Sequence, residues 1–158
     1  MKWTNTIATL ESYREFIDTT AKGEMPREWR LRRDISFSLQ VGSDVFEITM
    51  KAPYYWFFAE RGRRPGKFPP PKAIDAWITR RRIVPYPLPS GRVPTRPQLV
   101  YLISRKIARD GTEGKHFLNT AITKDASYWE ERLKDALTTD IENELSEWLS
   151  PLSGVTSI

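Results

Sequence analysis

Apolar residues recur along this chain on two periods, and together these predict helices at both ends with a hairpin between. Over residues 4–22, Ile7, Leu10, Ile17 and Ala21 fall on one helical face, flanked by Trp3, Tyr13 and Phe16. Thr4 or Asn5 suits the start as a cap, and Gly23 suits the end. Pro26 forbids simple continuation, and the basic stretch around Arg27, Arg30, Arg32 and Arg33 reads as a connector. Residues 34–41 alternate instead: Ile35, Phe37, Leu39 and Val41 against Ser36, Ser38 and Gln40. Residues 45–51 do the same, with Phe46, Ile48 and Met50 on the apolar side. Gly42-Ser43 between them fits a type II′ turn, so a hairpin over about 34–51 is expected, covering a core on one face.

The middle of the chain is less periodic. Tyr54 to Phe58 is an unbroken aromatic run, readable as a third strand or a short helix. With the hairpin it is expected to form the core. Residues 59–67 read as a loop. A helix is expected from about Pro71, with Ala73, Ile74, Trp77 and Ile78 as its apolar face and Arg80, Arg81 and Arg82 closing it. Nine of the twelve prolines lie between residues 65 and 97. The segment Val84–Pro97 is therefore expected as an extended loop of the kind that usually carries function. Another helix is expected over 98–109, with Leu99, Leu102, Ile103 and Ile107 inward and Asp110-Gly111 at its end.

Leu118, Ile122, Ala126, Trp129, Leu133, Leu137, Ile141, Leu145 and Trp148 then recur at helical spacing. They predict a long helix from about Phe117 to Leu149, with a break near 125–127 and Pro151 as its stop. The fold class is therefore α+β: a small antiparallel sheet built on the hairpin, packed with an N-terminal helix, two middle helices and a long C-terminal helix. One domain is expected over 1–150, with a proline-rich loop at 84–97 and a flexible tail at 151–158.

Charge changes this picture. The chain has 158 residues and a formal net charge of +5. Residues 1–60 carry 8 basic and 9 acidic side chains, net −1. Residues 61–116 carry 14 and 3, net +11, and residues 117–158 carry 3 and 8, net −5. Cysteine is absent, which excludes disulfides, thiolate nucleophiles and cysteine zinc sites. The single histidine, His116, leaves no multi-histidine metal site. No signal peptide and no membrane span are expected.

No pattern supports an enzyme. His116 has no nucleophile or carboxylate framing it and reads as a loop residue at a helix start. The turn Arg61–Lys67 lacks the spacing of a phosphate-binding loop. Two readings of the charge remain. Arg61, Arg63, Arg64, Lys67, Lys72 and Arg80–Arg82, interleaved with Phe68 and Trp77, form a cation cluster that attracts phosphates and supports a nucleic-acid-binding module over 61–82. Alternatively, the basic middle meets the acidic tail, either within one subunit or head to tail between copies.

One ordered set of motifs points further. Tyr54–Phe58 leads into Glu60-Arg61-Gly62-Arg63-Arg64-Pro65-Gly66-Lys67-Phe68-Pro69-Pro70. A helix with Ala73-Ile74 and Trp77-Ile78 follows, then Leu102–Ile107, Gly111-Thr112 and Phe117-Leu118-Asn119-Thr120-Ala121-Ile122. Over roughly residues 30–125 this set resembles the tail-completion, or head–tail joining, proteins of tailed bacteriophages. The resemblance implies a structural protein of the virion neck or tail, assembled in the host cytoplasm. It implies an oligomeric ring that joins the portal or adaptor to the tail and lets DNA pass. It implies no cofactor, metal or catalytic residue. Arg61, Gly62, Arg63, Arg64, Pro65, Gly66, Lys67, Tyr86, Phe117 and Leu118 are then the expected contacts with neighbours, and Arg80, Arg81 and Arg82 are candidates to face the DNA channel. The proline-rich loop is longer than the family's pattern and suits a contact arm.

Overall fold

A computed structural model describes residues 2–43 and 45–153 of the chain. Helix α1 (Thr4–Glu24) is followed by the short α2 (Leu31–Asp34), strands β1 (Ser36–Val41) and β2 (Phe46–Lys51), and α3 (Trp56–Arg61). Then come β3 (Gly62–Arg63), α4 (Pro71–Arg80), α5 (Arg96–Asp110), β4 (Thr112–Glu113), α6 (Phe117–Thr123) and α7 (Ala126–Ser153). The fold is α+β, with β1 and β2 as the expected antiparallel pair. Within the span expected as one domain, the chain divides into two compact units. One is built from Met1–Trp56 and His116–Ile158, the other from Phe57–Lys115.

In the first unit α1 packs against α6, α7 and β1. Its buried apolar side chains include Ile17, Ala21, Leu31, Ile35, Phe37 and Phe117. The hairpin register pairs Phe37 with Met50, Leu39 with Ile48 and Val41 with Phe46, so the alternating apolar residues share one face. That face is buried at its base, where Phe37 lies, and open at its tip, where Val41 is exposed. The reversal sits beyond Gly42, whose N–H donates to the Val45 carbonyl, instead of on Gly42-Ser43. Two further expectations need correction here. The connector contains a helical turn, α2, because Leu31 is drawn into the core. The aromatic run is not core: it becomes a turn and α3, with Tyr54, Phe57 and Phe58 exposed. Five consecutive aromatics cannot all face one way on a helix or a strand.

The second unit is an α4–α5 pair around Ile74, Ile78 and Val100, with Ile83, Leu99, Ile103 and Ile107 packed against them. Helix α4 begins at Pro71, where the missing N–H costs nothing. Helix α5 begins two residues earlier than expected, so Pro97 lies in its first turn and not in the preceding loop. Thr95 and Gln98 form a capping box there, with the Thr95 N–H donating to Gln98 Oε1 at 2.9 Å.

The long C-terminal helical pattern is split where a break was expected, at Lys124 and Asp125, the latter at φ 54°. Pro151 does not stop α7, which is assigned through Ser153. The Glu147 carbonyl, which a residue-151 N–H would have served, accepts the Ser150 hydroxyl at 3.1 Å instead. Of the expected flexible tail, residues 154–158 lie outside the described residues.

Candidate functional site

The motif Arg61–Lys67 is built by backbone pairing. Arg61 ends α3, one residue after the buried Glu60, and the chain enters β3 at Gly62 with φ 76°. Strand β3 pairs antiparallel with β4: Gly62 opposite Glu113, Arg63 opposite Thr112. A Cβ on Gly62 would collide with the Thr112 carbonyl, and one on Gly111, at φ 73°, with the Arg63 carbonyl. Only glycine tolerates both the left-handed backbone and this approach. The Lys115 N–H donates to the Ala59 carbonyl at 2.8 Å, and the Gly66 N–H to the Ala108 carbonyl at 2.8 Å. The Arg63 guanidinium closes the turn on the Lys67 carbonyl at 2.6 Å. Thus Gly62, Gly111 and the Arg63 side chain close the loop, and Gly62, expected as a contact, is buried in this pairing. Arg61, Arg64, Pro65, Gly66 and Lys67 are exposed on it, and Arg61 lies over the Phe57 ring at 5.1 Å.

Arg80, Arg81 and Arg82 are exposed at the end of α4. Arg82 turns the chain at φ 51°, and the Arg81 N–H caps the helix on the Trp77 carbonyl at 3.0 Å. From there an arm runs to Thr95. Val84 and Tyr86 are each 80% exposed on it, and Pro94 is its buried base. Its tip is a turn in which Leu88 and Gly91–Arg92 exchange backbone hydrogen bonds. Arg96 anchors the return to α4, donating to Asp75 Oδ1 at 2.6 Å. The unit Phe57–Lys115 carries 14 basic and 4 acidic side chains, net +10, and the rest of the chain is net −5. The charge boundary therefore coincides with the structural one.

The two remaining expected contacts divide. Leu118 is half-buried, but Phe117 is fully buried. Phe117 is a core residue and not a contact, because α6 turns it inward against the first unit. His116 takes the left-handed N-cap position of α6 without capping it through its side chain.

Sequence reasoning missed two features. The first is Asp140 of α7, 2% exposed. It accepts the N–H of Asn5 at 3.0 Å, the N–H of Thr6 at 2.8 Å, and both of their side chains. Burial acts to raise this carboxyl, but the four donors outweigh it and lower it to about 2. The second is an apolar groove of about 210 Å³ between α1, α6 and α7. Leu10, Tyr13, Ile122, Trp129 and Leu133 line it, with Glu130 at its edge. Trp129 stands against Tyr13 and Phe16 at centroid distances of 5.1 and 5.3 Å, and its buried indole N–H has no acceptor. Burial, with the Glu130 carboxylate beside it, pushes the Tyr13 phenol up. The helical period of Leu10, Tyr13, Trp129 and Leu133 was visible, but it does not distinguish a sealed core from an open groove.

Among the described residues no group of three or more histidine, aspartate or glutamate side chains could hold a metal, and no helix is long and apolar enough to cross a membrane. Comparison with protein-family models, curated proteins and solved structures finds no significant match.

Proposed function

We propose that the protein is a structural subunit of a bacteriophage neck, forming a homo-oligomeric ring that joins the portal or adaptor to the tail and lets DNA pass. The observation that carries this reading is the separation of charge onto two compact units, net +10 and −5. Such a subunit is complementary to its own copy, and head-to-tail contacts that close make rings. The motif order that resembles tail-completion proteins supplies the rest. Its loop exposes Arg61, Arg64, Pro65, Gly66 and Lys67, as a contact element needs to, while Gly62 is buried and Arg63 half-buried, and the arm that carries Tyr86 is exposed too. The role is adhesive and mechanical, with no chemical step. Native mass spectrometry of the purified protein and electron microscopy of virions test it. Rings in solution and density for the chain at the neck are expected. A strictly monomeric protein that is absent from particles would overturn the reading.

A second reading follows from Arg80–Arg82. Three adjacent exposed guanidinium groups on a unit of net +10 suit binding to nucleic-acid phosphates. Under the ring reading these arginines are the candidates to face the DNA channel. Under the alternative they serve a free nucleic-acid-binding module. Duplex binding by the isolated chain at physiological salt, in a protein that never joins a particle, would favour the alternative.

A further inference from the structure

We infer that the α1–α6–α7 groove is the docking site for the proline-rich arm of a second copy of this chain, with Tyr86 as the inserted side chain. This rests on the reading that the chain assembles with itself, and it names the two surfaces that meet.

The groove comes first. Its volume, about 210 Å³, is below the roughly 300–1,000 Å³ typical of sites for small molecules and cofactors. It suits one large side chain. Its walls are aromatic and aliphatic, and Ile122 is 46% exposed on its rim. Aromatic-lined grooves of this kind accept proline-rich segments, because a polyproline II strand is already extended and loses little entropy on docking.

The arm supplies that ligand. Val84-Pro85-Tyr86-Pro87-Leu88-Pro89 alternates proline with apolar residues, and Val84 and Tyr86 have 80% of their surface open. An arm that exposes such side chains gains most by burying them elsewhere. Tyrosine suits the task, since its ring is rigid and its hydroxyl can remain at the wet edge.

Charge selects this occupant. Arg80–Arg82 precede the arm and Arg92 closes its tip. The groove's edge carries Glu130, and α7 as a whole has seven acidic and two basic side chains. One of those two cations, Arg132, lies over the Trp129 ring at 5.5 Å and offsets Glu130 locally, so the attraction rests on the net −5 of the unit that carries the groove. A proline arm on the basic unit therefore meets an apolar groove on the acidic one.

The test uses the full chain and two variants at exposed positions. Tyr86→Asp spoils the arm and Ile122→Lys spoils the groove. Circular dichroism confirms that both fold. Sedimentation velocity on the wild type is expected to show self-association that weakens with added salt. Each variant alone is expected to lose it by at least tenfold in dissociation constant. An equimolar mixture keeps one intact arm and one intact groove per pair, so it is expected to recover dimers and nothing larger. A wild-type oligomer that neither variant weakens overturns the docking and leaves the ring reading standing. A wild type monomeric to its solubility limit overturns it too. So does a monomer in which Tyr86→Asp shifts the Trp129 indole resonance, since the arm then lies in its own groove. If the arm–groove contact is found but the protein is absent from virions, the ring reading fails and the docking survives.

Discussion

Asp140 and Thr6, separated by 134 residues, share two hydrogen bonds: the Thr6 N–H at 2.8 Å and the Thr6 hydroxyl at 2.7 Å both reach Asp140 Oδ2. Helix α1 has no capping side chain of its own at Trp3, and the expected Thr4 or Asn5 cap is not made. The carboxylate of α7 takes that place, satisfying first-turn N–H groups and meeting the positive end of the helix dipole. Asp140→Ala removes the acceptor and leaves buried donors unpaired. A loss of roughly 2–4 kcal/mol is expected, read by urea denaturation. An unchanged midpoint would show that the cap is dispensable.

The same carboxylate sets an acid limit. Its folded value is lowered to about 2 from the usual 3.8. A depressed value contributes stability above the unfolded value, lost as pH falls through the folded one. About 2 kcal/mol is therefore expected to disappear between about pH 4 and pH 2. Asp140→Asn cannot titrate, so it is expected to flatten that limb of the stability–pH curve. If the curves of the wild type and the Asp140→Asn variant run parallel, the contribution is absent.

Elements with their own period were legible. The hairpin, α4 and the break before α7 follow from residues within a few positions of each other, where alternation, helical spacing and proline act. What escaped is long-range. Nothing in the spacing of Thr-Asn-Thr at residues 4–6 names Asp140. The motif glycine Gly62 was visible, but its pairing with Glu113 was not, because two-residue strands carry no alternation. Phe117 was drawn to a contact by resemblance, whereas burial against α1's unit makes it core. The acceptor groove stayed hidden because an apolar helical stripe looks the same whether it is covered or open.

The interlock of Gly62 with β4 makes a sharp contrast among glycines. Gly62→Ala adds a Cβ against the Thr112 carbonyl at a positive φ. The backbone strain alone costs about 1–3 kcal/mol, and the collision adds to it. Gly23→Ala meets nothing within 4 Å and sits in the last turn of α1, where alanine is favoured by roughly 0.5–1 kcal/mol. Thermal denaturation is expected to move down for the first and up for the second. Equal shifts would refute the interlock.

Ser104 lies on α5, 3% exposed, and its hydroxyl has no hydrogen-bond partner. A buried unsatisfied hydroxyl costs free energy that a methyl group does not. Ser104→Ala is expected to raise stability by about 1 kcal/mol, seen as a higher denaturant midpoint at unchanged slope. A lower midpoint would mean that the hydroxyl makes a bond.

Arg80, Arg81 and Arg82 test how far the basic unit acts on DNA. Each phosphate neutralised by a cation releases counterions, so the logarithm of affinity falls with the logarithm of salt by about 0.9 per contact. If the three arginines engage duplex DNA, replacing all of them with alanine is expected to reduce that slope by about two to three and to weaken binding equally for all sequences. The substitutions lie at the exposed end of α4, outside the Ile74–Ile78–Val100 core, so the fold is expected to survive. Arg96 and Arg109 serve as controls, because Asp75 and Asp110 already pair with them at 2.6 Å. Their replacement is expected to leave the slope unchanged. A triple variant with the wild-type slope would remove these arginines from any DNA-facing surface.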